Sequence, residues 1–553
     1  MAEGLDLSHI HRSFSSFNNN VYQGLLDSLN FCFMKNSSLR EILYFFKKNY
    51  LLCLIIIISI FFRFYKFRQF QYFGGDEEVL TATLRHIIWD RSPVLLVQNA
   101  SLSFGLGPFY HYFLSIFYFL TNFDLITVQA IGSLLGVLTT ILLYFAGKQM
   151  QGKNFGLLVS FLYAASFFIA LFDRRVVHLT LNPFLSALTL LALVKIVNKD
   201  YRFIPLLALP IGFSFHEDAS LFILVIAIVL SWIFLRLPFF KKQILYGLLI
   251  LGVFALPFIF AEIHYGTGSV SGPIAKYFFR SLNLNYNRSL NLSALNIPYF
   301  LGVFSRALFT FPSNDIEKHF FYDLKPQLPI FSPVIQIITA LIFVFGFISI
   351  VKKRVLSTNQ DVLLIPWIMI LAFLLGISIF TFFLRGLPYQ HYFTVIFPIY
   401  LVIVAQVISL LFKKYKLFFF LILFFYLLIN LYALINSSVS YPLYEKIKLI
   451  DNTLPDLKNK KFNILTSTNN PYAYSGGWTE LYTLKHYPAA KSYWYKDWYW
   501  IYAAYSLFPE GYDLEASIER IVYLRMANEP TTKKKMKTIS QYRYKDIILE
   551  VKE

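Results

Sequence analysis

Three carboxylates stand at consecutive positions behind two glycines, in Gly74-Gly75-Asp76-Glu77-Glu78. Carboxylates placed this way can take a proton from a hydroxyl, bind a cation or hydrogen-bond a sugar. They could equally form a solvated loop face, and the residue types alone leave the two readings level. The glycines would allow a tight turn that aims Asp76 back at whatever lies beneath it. His216-Glu217-Asp218 also has the look of a ligand cluster, but its place between two apolar runs favours a solvated turn. His264 follows Glu262 and could join Glu77 or Glu78 around a divalent cation, since imidazole with carboxylates suits zinc or manganese. A lone histidine at a helix end is more often simply hydrogen-bonded.

The elements that must position these groups are membrane helices. Of 553 residues, 57% are hydrophobic and 15% charged, with a mean hydropathy of +0.55. Soluble domains run nearer about 45–50% apolar and about 25% charged, so the excess calls for an apolar solvent. Runs long enough to cross a bilayer fall at 49–65, 124–147, 154–172, 179–198, 203–217, 218–237, 244–263, 329–351, 361–383, 392–412 and 417–436. The expectation is an α-helical polytopic membrane protein of about eleven spans. Lys and Arg mark every second connection: Lys47/Lys48, Lys148/Lys153, Lys195/Lys199/Arg202, Arg236/Lys241/Lys242, Lys352/Lys353/Arg354 and Lys413/Lys414/Lys416. The positive-inside rule makes that side cytoplasmic, with the N-terminus inside and the C-terminus outside. It also accounts for the net charge of +19 without nucleic acid as a partner. Two cysteines, Cys32 and Cys53, provide neither a disulfide framework nor a cysteine zinc site.

The chain then divides into a cytoplasmic segment 1–48, a transmembrane region 49–436 with long outer loops at 66–123 and 264–328, and an extracytoplasmic domain 437–553. Segment 108–121 is apolar but too short to span, which fits a helix lying in the interface plane. Strand-like pieces at 462–465 and 521–524 predict a small α/β fold for the C-terminal domain. Its aromatic stretch Trp494-Tyr495-Lys496-Asp497-Trp498-Tyr499-Trp500 could stack on sugar rings, but serves as readily as a membrane anchor or core. Polar and ionisable groups gather on the outer side, as an outward-facing active site would require.

This combination resembles the GT-C glycosyltransferases, and within them the family-39 or protein-mannosyltransferase-like group. The residues that carry the resemblance are Asp76-Glu77 in the first outer loop, Gly107-Pro108-Phe109-Tyr110-His111-Tyr112 opening the amphipathic segment, and Gly147-Lys148 ending the next span. Further along come Arg174-Arg175, Leu256-Pro257 with Glu262-Ile263-His264-Tyr265-Gly266, and His391-Tyr392-Phe393 with Phe397-Pro398. It covers about residues 45–436 by topology, and the combination carries the weight because no single motif is long. Bacterial members of the group include the aminoarabinose transferase of lipid A.

The resemblance implies transfer of a sugar from a polyprenyl-phosphate donor to an acceptor hydroxyl, with inversion. Asp76 matches the catalytic base, and Glu77 would orient the acceptor. The leaving phosphate needs positive charge at the membrane boundary, for which Arg174, Arg175 and Arg385 are the outward candidates. Tyr389, His391 and Tyr392 could bond the same phosphate, with Tyr110 and His111 near the substrate. Asn182 stands where several members carry a second acidic residue, and Asp173 lies close enough to compensate. No cofactor is required; a divalent cation on Glu78 and His264 stays open. An oligosaccharyltransferase is the alternative within the class. A transporter should show internal repeats with polar groups at mid-depth, and neither is found; a sensor or scaffold would not need Asp76 or the long first loop.

Overall fold

The structure is a computed structural model. It describes residues 39–99, 105–275, 297–313, 316, 332–356, 358–382, 389–467, 476–504, 506–527, 529 and 536–553. Two compact units divide at Ile55/Ile56. The described part of the first unit is helical, and apart from the first helix, which begins there, everything below concerns the second.

Helix α1 (Leu39–Phe64) leads into the acidic cluster, which opens α2 (Gly75–Ile88). A short ribbon of β1 (Val97–Asn99) and β2 (Gly105–Leu106) follows, then α3 (Phe109–Leu120). The segment expected at 108–121 is therefore a helix; it buries Tyr110, His111, Leu114 and Tyr118 and leaves Ile116, Phe119 and Leu120 exposed. The long α4 (Leu125–Gln151) is capped by Asp124, whose carboxylate accepts the Ile126 N–H. Next come α5 (Lys153–Ala165), α6 (Phe167–Asp173), α7 (Asn182–Val197), α8 (Ala208–Phe213), α9 (Phe222–Phe234) and α10 (Lys241–Tyr265). Then α11 (Ile297–Leu308), α12 (Ser332–Leu356), α13 (Ile365–Phe382), α14 (Phe397–Lys414) and α15 (Lys416–Asn436) complete the bundle.

Among the described residues, five helices are long and apolar enough to cross a membrane, or six if the bent pair α5–α6 counts as one span. The other apolar runs form helices of 10–17 residues, among them Asn49–Phe64, Asn182–Val197 and Phe397–Leu410. The burial pattern separates two kinds of helix. The apolar window of α4 is 61% buried within the bundle, whereas that of α10 is only 11% buried. Leu248, Leu249, Ile259 and Phe260 of α10 and Phe418, Phe420, Phe424 and Phe425 of α15 face outward. Such continuous apolar surface is not stable in water and requires lipid. The chain is a helical, multi-span membrane protein.

Key polar groups inside the bundle are paired, as a low-dielectric interior favours. Arg63 donates from Nε and Nη2 to Asp173 Oδ2 at 2.9 and 2.7 Å, and the Tyr163 hydroxyl donates to the same carboxylate. Asn430 donates to the carbonyls of Leu308 and Tyr426 while its own carbonyl accepts the Phe167 N–H, tying α15 to α6 and α11.

Beyond α15, helix α16 (Leu443–Leu457) lies against a five-stranded sheet that carries α17 (Trp478–Leu484) in one of its connections. The strands are β3 (Phe462–Thr466), β4 (Lys491–Ser492), β5 (Arg520–Met526), β6 (Thr538–Tyr544) and β7 (Ile547–Lys552), in the order β4-β3-β5-β7-β6. The first three run parallel; β5–β7 and β7–β6 are antiparallel. The interior strand β7 is buried along its whole length, which matches its run Ile-Ile-Leu-Glu-Val-Lys only because Glu550 pairs with Arg525 and Lys552. The start of the aromatic stretch is core: Trp494 and Tyr495 pack with Val79 and Ala82 of α2 and with Tyr502 and Leu507, while Tyr499 is exposed.

Candidate active site

The two glycines before Asp76 serve close approach rather than an unusual turn. Gly74 has an extended backbone (φ −123°), and α2 starts immediately after it. A Cβ on Gly75 would lie 2.6 Å from the Trp494 ring, and one on Gly476 would lie 2.7 Å from the Gly75 nitrogen. The first turn of α2 is thus clasped by the C-terminal segment, and only glycine lets the two backbones meet.

That contact distributes the three acids into different roles. Glu78 points into the C-terminal segment, where its oxygens accept the N–H groups of Gly477 (2.7 Å) and Glu480 (2.8 Å). Glu77 closes a capping box on the Gly74 N–H (3.1 Å) and receives a fork from Arg175, with Nε at 2.8 Å and Nη2 at 2.5 Å from Oε1. Asp76 is half-buried and makes no hydrogen bond or ion pair among the described residues. It lines a cleft together with Asp173, Arg175, His178, Thr180, Pro183, His391 and Thr394.

Two further side chains fix the clasp. Arg85, later in α2, donates to Glu480 (2.7 Å) and to the Leu507 carbonyl (2.7 Å), both side chains being buried. The Lys446 ammonium donates to the carbonyls of Phe73 (2.8 Å) and Gly476 (3.0 Å). Burial pushes the Glu78 carboxyl up to about 8, outweighing its two N–H bonds and nearby Lys446, which pull it down. The sign follows directly. A carboxyl raised above its ordinary 4.5 contributes stability that is complete below that value and is lost as pH rises through about 8. Glu78→Gln keeps an accepting oxygen and removes the titration. The thermal midpoint of the wild type in detergent should fall between about pH 5 and pH 8 relative to the variant. Parallel curves across that range would refute the assignment.

Not every expected site residue reaches the cleft. Arg175 and His391 do; Tyr389 and Tyr392 stack around His391, at 5.5 and 4.3 Å between ring centroids. Arg174 turns away: its Nη2 donates to the carbonyls of Phe62 (2.6 Å) and Tyr65 (3.0 Å), and its guanidinium covers the Phe70 ring. Tyr110 is buried, its hydroxyl bonded to the Val177 carbonyl at 2.5 Å, so it braces the turn before α7 instead of meeting a substrate. His111 is buried beside it, with neither ring nitrogen bonded among the described residues. Asn182 is buried at the start of α7 and donates to Ser220 (2.8 Å) and Thr394 (3.3 Å). Asp173, read as a compensating acid, is committed to Arg63. Arg385 lies outside the described residues.

The metal reading of Glu78 with His264 does not fit. Both Glu78 oxygens are taken by backbone N–H groups, while His264 is exposed with its ring against Tyr265. Glu262 bends back onto the N–H groups of Gly268, Val270 and Ser271. Among the described residues no three His, Cys, Asp or Glu side chains are grouped to hold a metal ion.

His216-Glu217-Asp218 is the largest departure from the sequence reading. In place of a solvated turn, all three are buried. His216 donates through Nε2 to the Phe254 carbonyl (2.8 Å) and accepts the Phe109 N–H at Nδ1 (3.3 Å). Glu217 accepts the Leu181 N–H (2.7 Å), and Asp218 faces His178 at 3.7 Å. His178, Thr394 and Arg306, which donates to Gln390 (2.8 Å), were passed over in the sequence. The signal for Arg306 was a single cation inside an apolar segment with a strong helical face.

No family model matches this sequence, and no curated protein is similar to it in sequence. Among solved structures, the archaeal oligosaccharyltransferase of Archaeoglobus fulgidus in its apo form matches at a TM-score of 0.46 and 15% identity, over 81% of this chain and 65% of that one. The chain thus spans just under two thirds of that protein. ArnT from Cupriavidus metallidurans matches in the apo state with a TM-score of 0.53 and 10% identity, over 91% of this chain and 97% of that one; its undecaprenyl-phosphate-bound form gives 0.51. The likeness to ArnT extends over nearly the full length of both proteins, and the chain shares its helical membrane fold.

Proposed function

We propose that this protein is an inverting glycosyltransferase of the family-39 type, a hexosyltransferase that moves a sugar from a polyprenyl-phosphate carrier to an acceptor hydroxyl on the outer face of the membrane. The observation that carries the reading is the division of labour in the acidic cluster. Glu77 and Glu78 are both committed to the protein, and Asp76 alone presents an unpaired carboxylate to the cleft. The likeness in fold to ArnT, solved with undecaprenyl phosphate, supports a polyprenyl-phosphate donor. In the reaction the acceptor oxygen bonds to the anomeric carbon as the bond from that carbon to phosphate oxygen breaks. The phosphate keeps the electron pair and Asp76 receives the acceptor proton. Arg175, held by Glu77, lends positive charge to the cleft wall. The proposal includes about eleven spans with the N-terminus cytoplasmic, which sets Asp76 and residues 437–553 on the outer side.

Purified protein is offered a panel of radiolabelled polyprenyl-phosphate monosaccharides, with cell-envelope extract as acceptor. Release of polyprenyl phosphate from one donor is the expected result. Turnover of none, with lipid-linked oligosaccharide consumed instead, would move the protein to the oligosaccharyltransferases.

A further inference from the structure

The leaving phosphate needs a donor, and the arginines expected to supply it are occupied: Arg174 on backbone carbonyls and Arg175 on Glu77. A different nitrogen-bearing side chain lines the same cleft. His178 sits in the turn before α7, with Nε2 3.7 Å from Asp218 Oδ2. Its Nδ1 is buried and has no hydrogen-bond partner. Asp218 is itself held, its Oδ1 accepting the Ser220 N–H at 2.7 Å. The Ser220 hydroxyl accepts from Asn182 at 2.8 Å, and Asn182 reaches Thr394 at 3.3 Å, whose hydroxyl is anchored on the His391 carbonyl at 2.7 Å. Polar contacts therefore link Asp218, which faces His178, through Ser220, Asn182 and Thr394 to His391. They place a carboxylate beside His178 although Asn182 itself carries no charge.

We propose that His178, oriented by Asp218, donates a ring N–H to the departing phosphate of the polyprenyl carrier in the cleft that Asp76 also lines. The inference rests on the transferase reading and adds a leaving-group residue to it. An imidazole backed by a carboxylate presents both nitrogens as donors when charged, one toward the carboxylate and one toward the anion. As the bond from anomeric carbon to phosphate oxygen breaks, the electron pair stays on phosphate and the His178 hydrogen bond strengthens. The acceptor proton still goes to Asp76, so no proton has to leave the imidazole. Asp218 touches no substrate and is a positioning residue.

Other ionisable groups face His178 from the elements around it. His111 of α3 lies near it and near His216. Burial holds His111 neutral, pulled down to about 3, so it does not share the charge. Asp76 from α2, Asp173 and Arg175 from the end of α6, and His391 line the same cleft, while Glu217 adjoins Asp218 and accepts the Leu181 N–H.

The test compares full-length wild type, His178→Gln and Asp218→Asn in detergent, measuring both turnover of the accepted donor and binding of sugar-free polyprenyl phosphate. Loss of one preorganised donor at a developing oxyanion costs about 10²–10³-fold in kcat. His178→Gln is expected to lose that much, with the acceptor KM unchanged, and to bind polyprenyl phosphate about tenfold more weakly. Asp218→Asn should retain part of the activity and displace the limb of the pH–kcat profile that His178→Gln abolishes; a merely structural carboxylate would not move that limb. Should His178→Gln fail to fold, the Asp218→Asn profile alone decides. Wild-type binding and turnover in both variants would overturn the inference and leave the transferase intact. A wild type that neither binds polyprenyl phosphate nor turns over any donor would overturn both.

Discussion

Asp76→Asn lowers kcat for sugar transfer by about 10²–10⁴-fold, the usual contribution of a positioned general base. Binding of polyprenyl phosphate and the thermal midpoint stay at wild-type values. The substitution keeps size and shape and removes only the basic oxygen. Asp76 makes no hydrogen bond or ion pair among the described residues, so its charge contributes to the fold only through the small favourable effect of an acid in the first turn of α2. Its neighbours behave differently. Glu77→Gln loses the charge partner of Arg175 and Glu78→Gln loses one of two anchors on α17, so both act through structure. Transfer and carrier release are read in one assay, with melting curves beside them. Full activity in Asp76→Asn would remove the proposed base, and a large drop in melting temperature would show that Asp76 is structural after all.

Arg85→Met destabilises the protein by about 3–5 kcal/mol, because it strands a buried carboxylate. Arg85 and Glu480 are 2% and 0% exposed, bonded at 2.7 Å, and Arg85 also satisfies the Leu507 carbonyl. Removing the guanidinium leaves Glu480 without a counter-charge in a site where burial already raises its carboxyl above the usual range. The double variant Arg85→Met/Glu480→Leu replaces both charges with apolar groups and should recover much of the loss. The effect should also reach activity, since the backbone N–H of Glu480 is one of the two that hold Glu78 beside Asp76. Intrinsic-fluorescence melting of the wild type and the two variants in detergent gives the stability order. A single variant as stable as wild type would mean that the pair does not hold the C-terminal segment against α2.

Several features were legible without any coordinates, each for a local reason. Apolar runs such as 417–436 report helices in lipid because about 20 residues are needed to cross a bilayer. The strand-like pieces at 462–465 and 521–524 became β3 and β5, paired in parallel as neighbours. The length of the spans was less legible. Residues 203–217 read as one apolar run, yet the chain there is a 3₁₀ segment, Tyr201–Leu207, followed by the short α8. Two prolines, Pro205 and Pro210, shape that stretch, since each lacks an N–H for the helical ladder. The aromatic stretch at 494–500 gave no sign of its partner, because Trp494 is buried against a helix some four hundred residues earlier.

The sequence by itself determined the membrane setting, the helical class and the position of the acidic cluster in the first long connection. These follow from composition and from spacing along the chain, where hydropathy and charge act over one turn or one span. Only the tertiary structure decided which acids and cations are committed. Glu78 finds its N–H donors 399 and 402 positions away, Arg175 meets Glu77 across 98, and Asp218 comes behind His178 from a turn that read as solvated. Whether a charged group is spent on the fold or left for chemistry depends on what the packed chain brings within about 3 Å of it, the reach of a hydrogen bond.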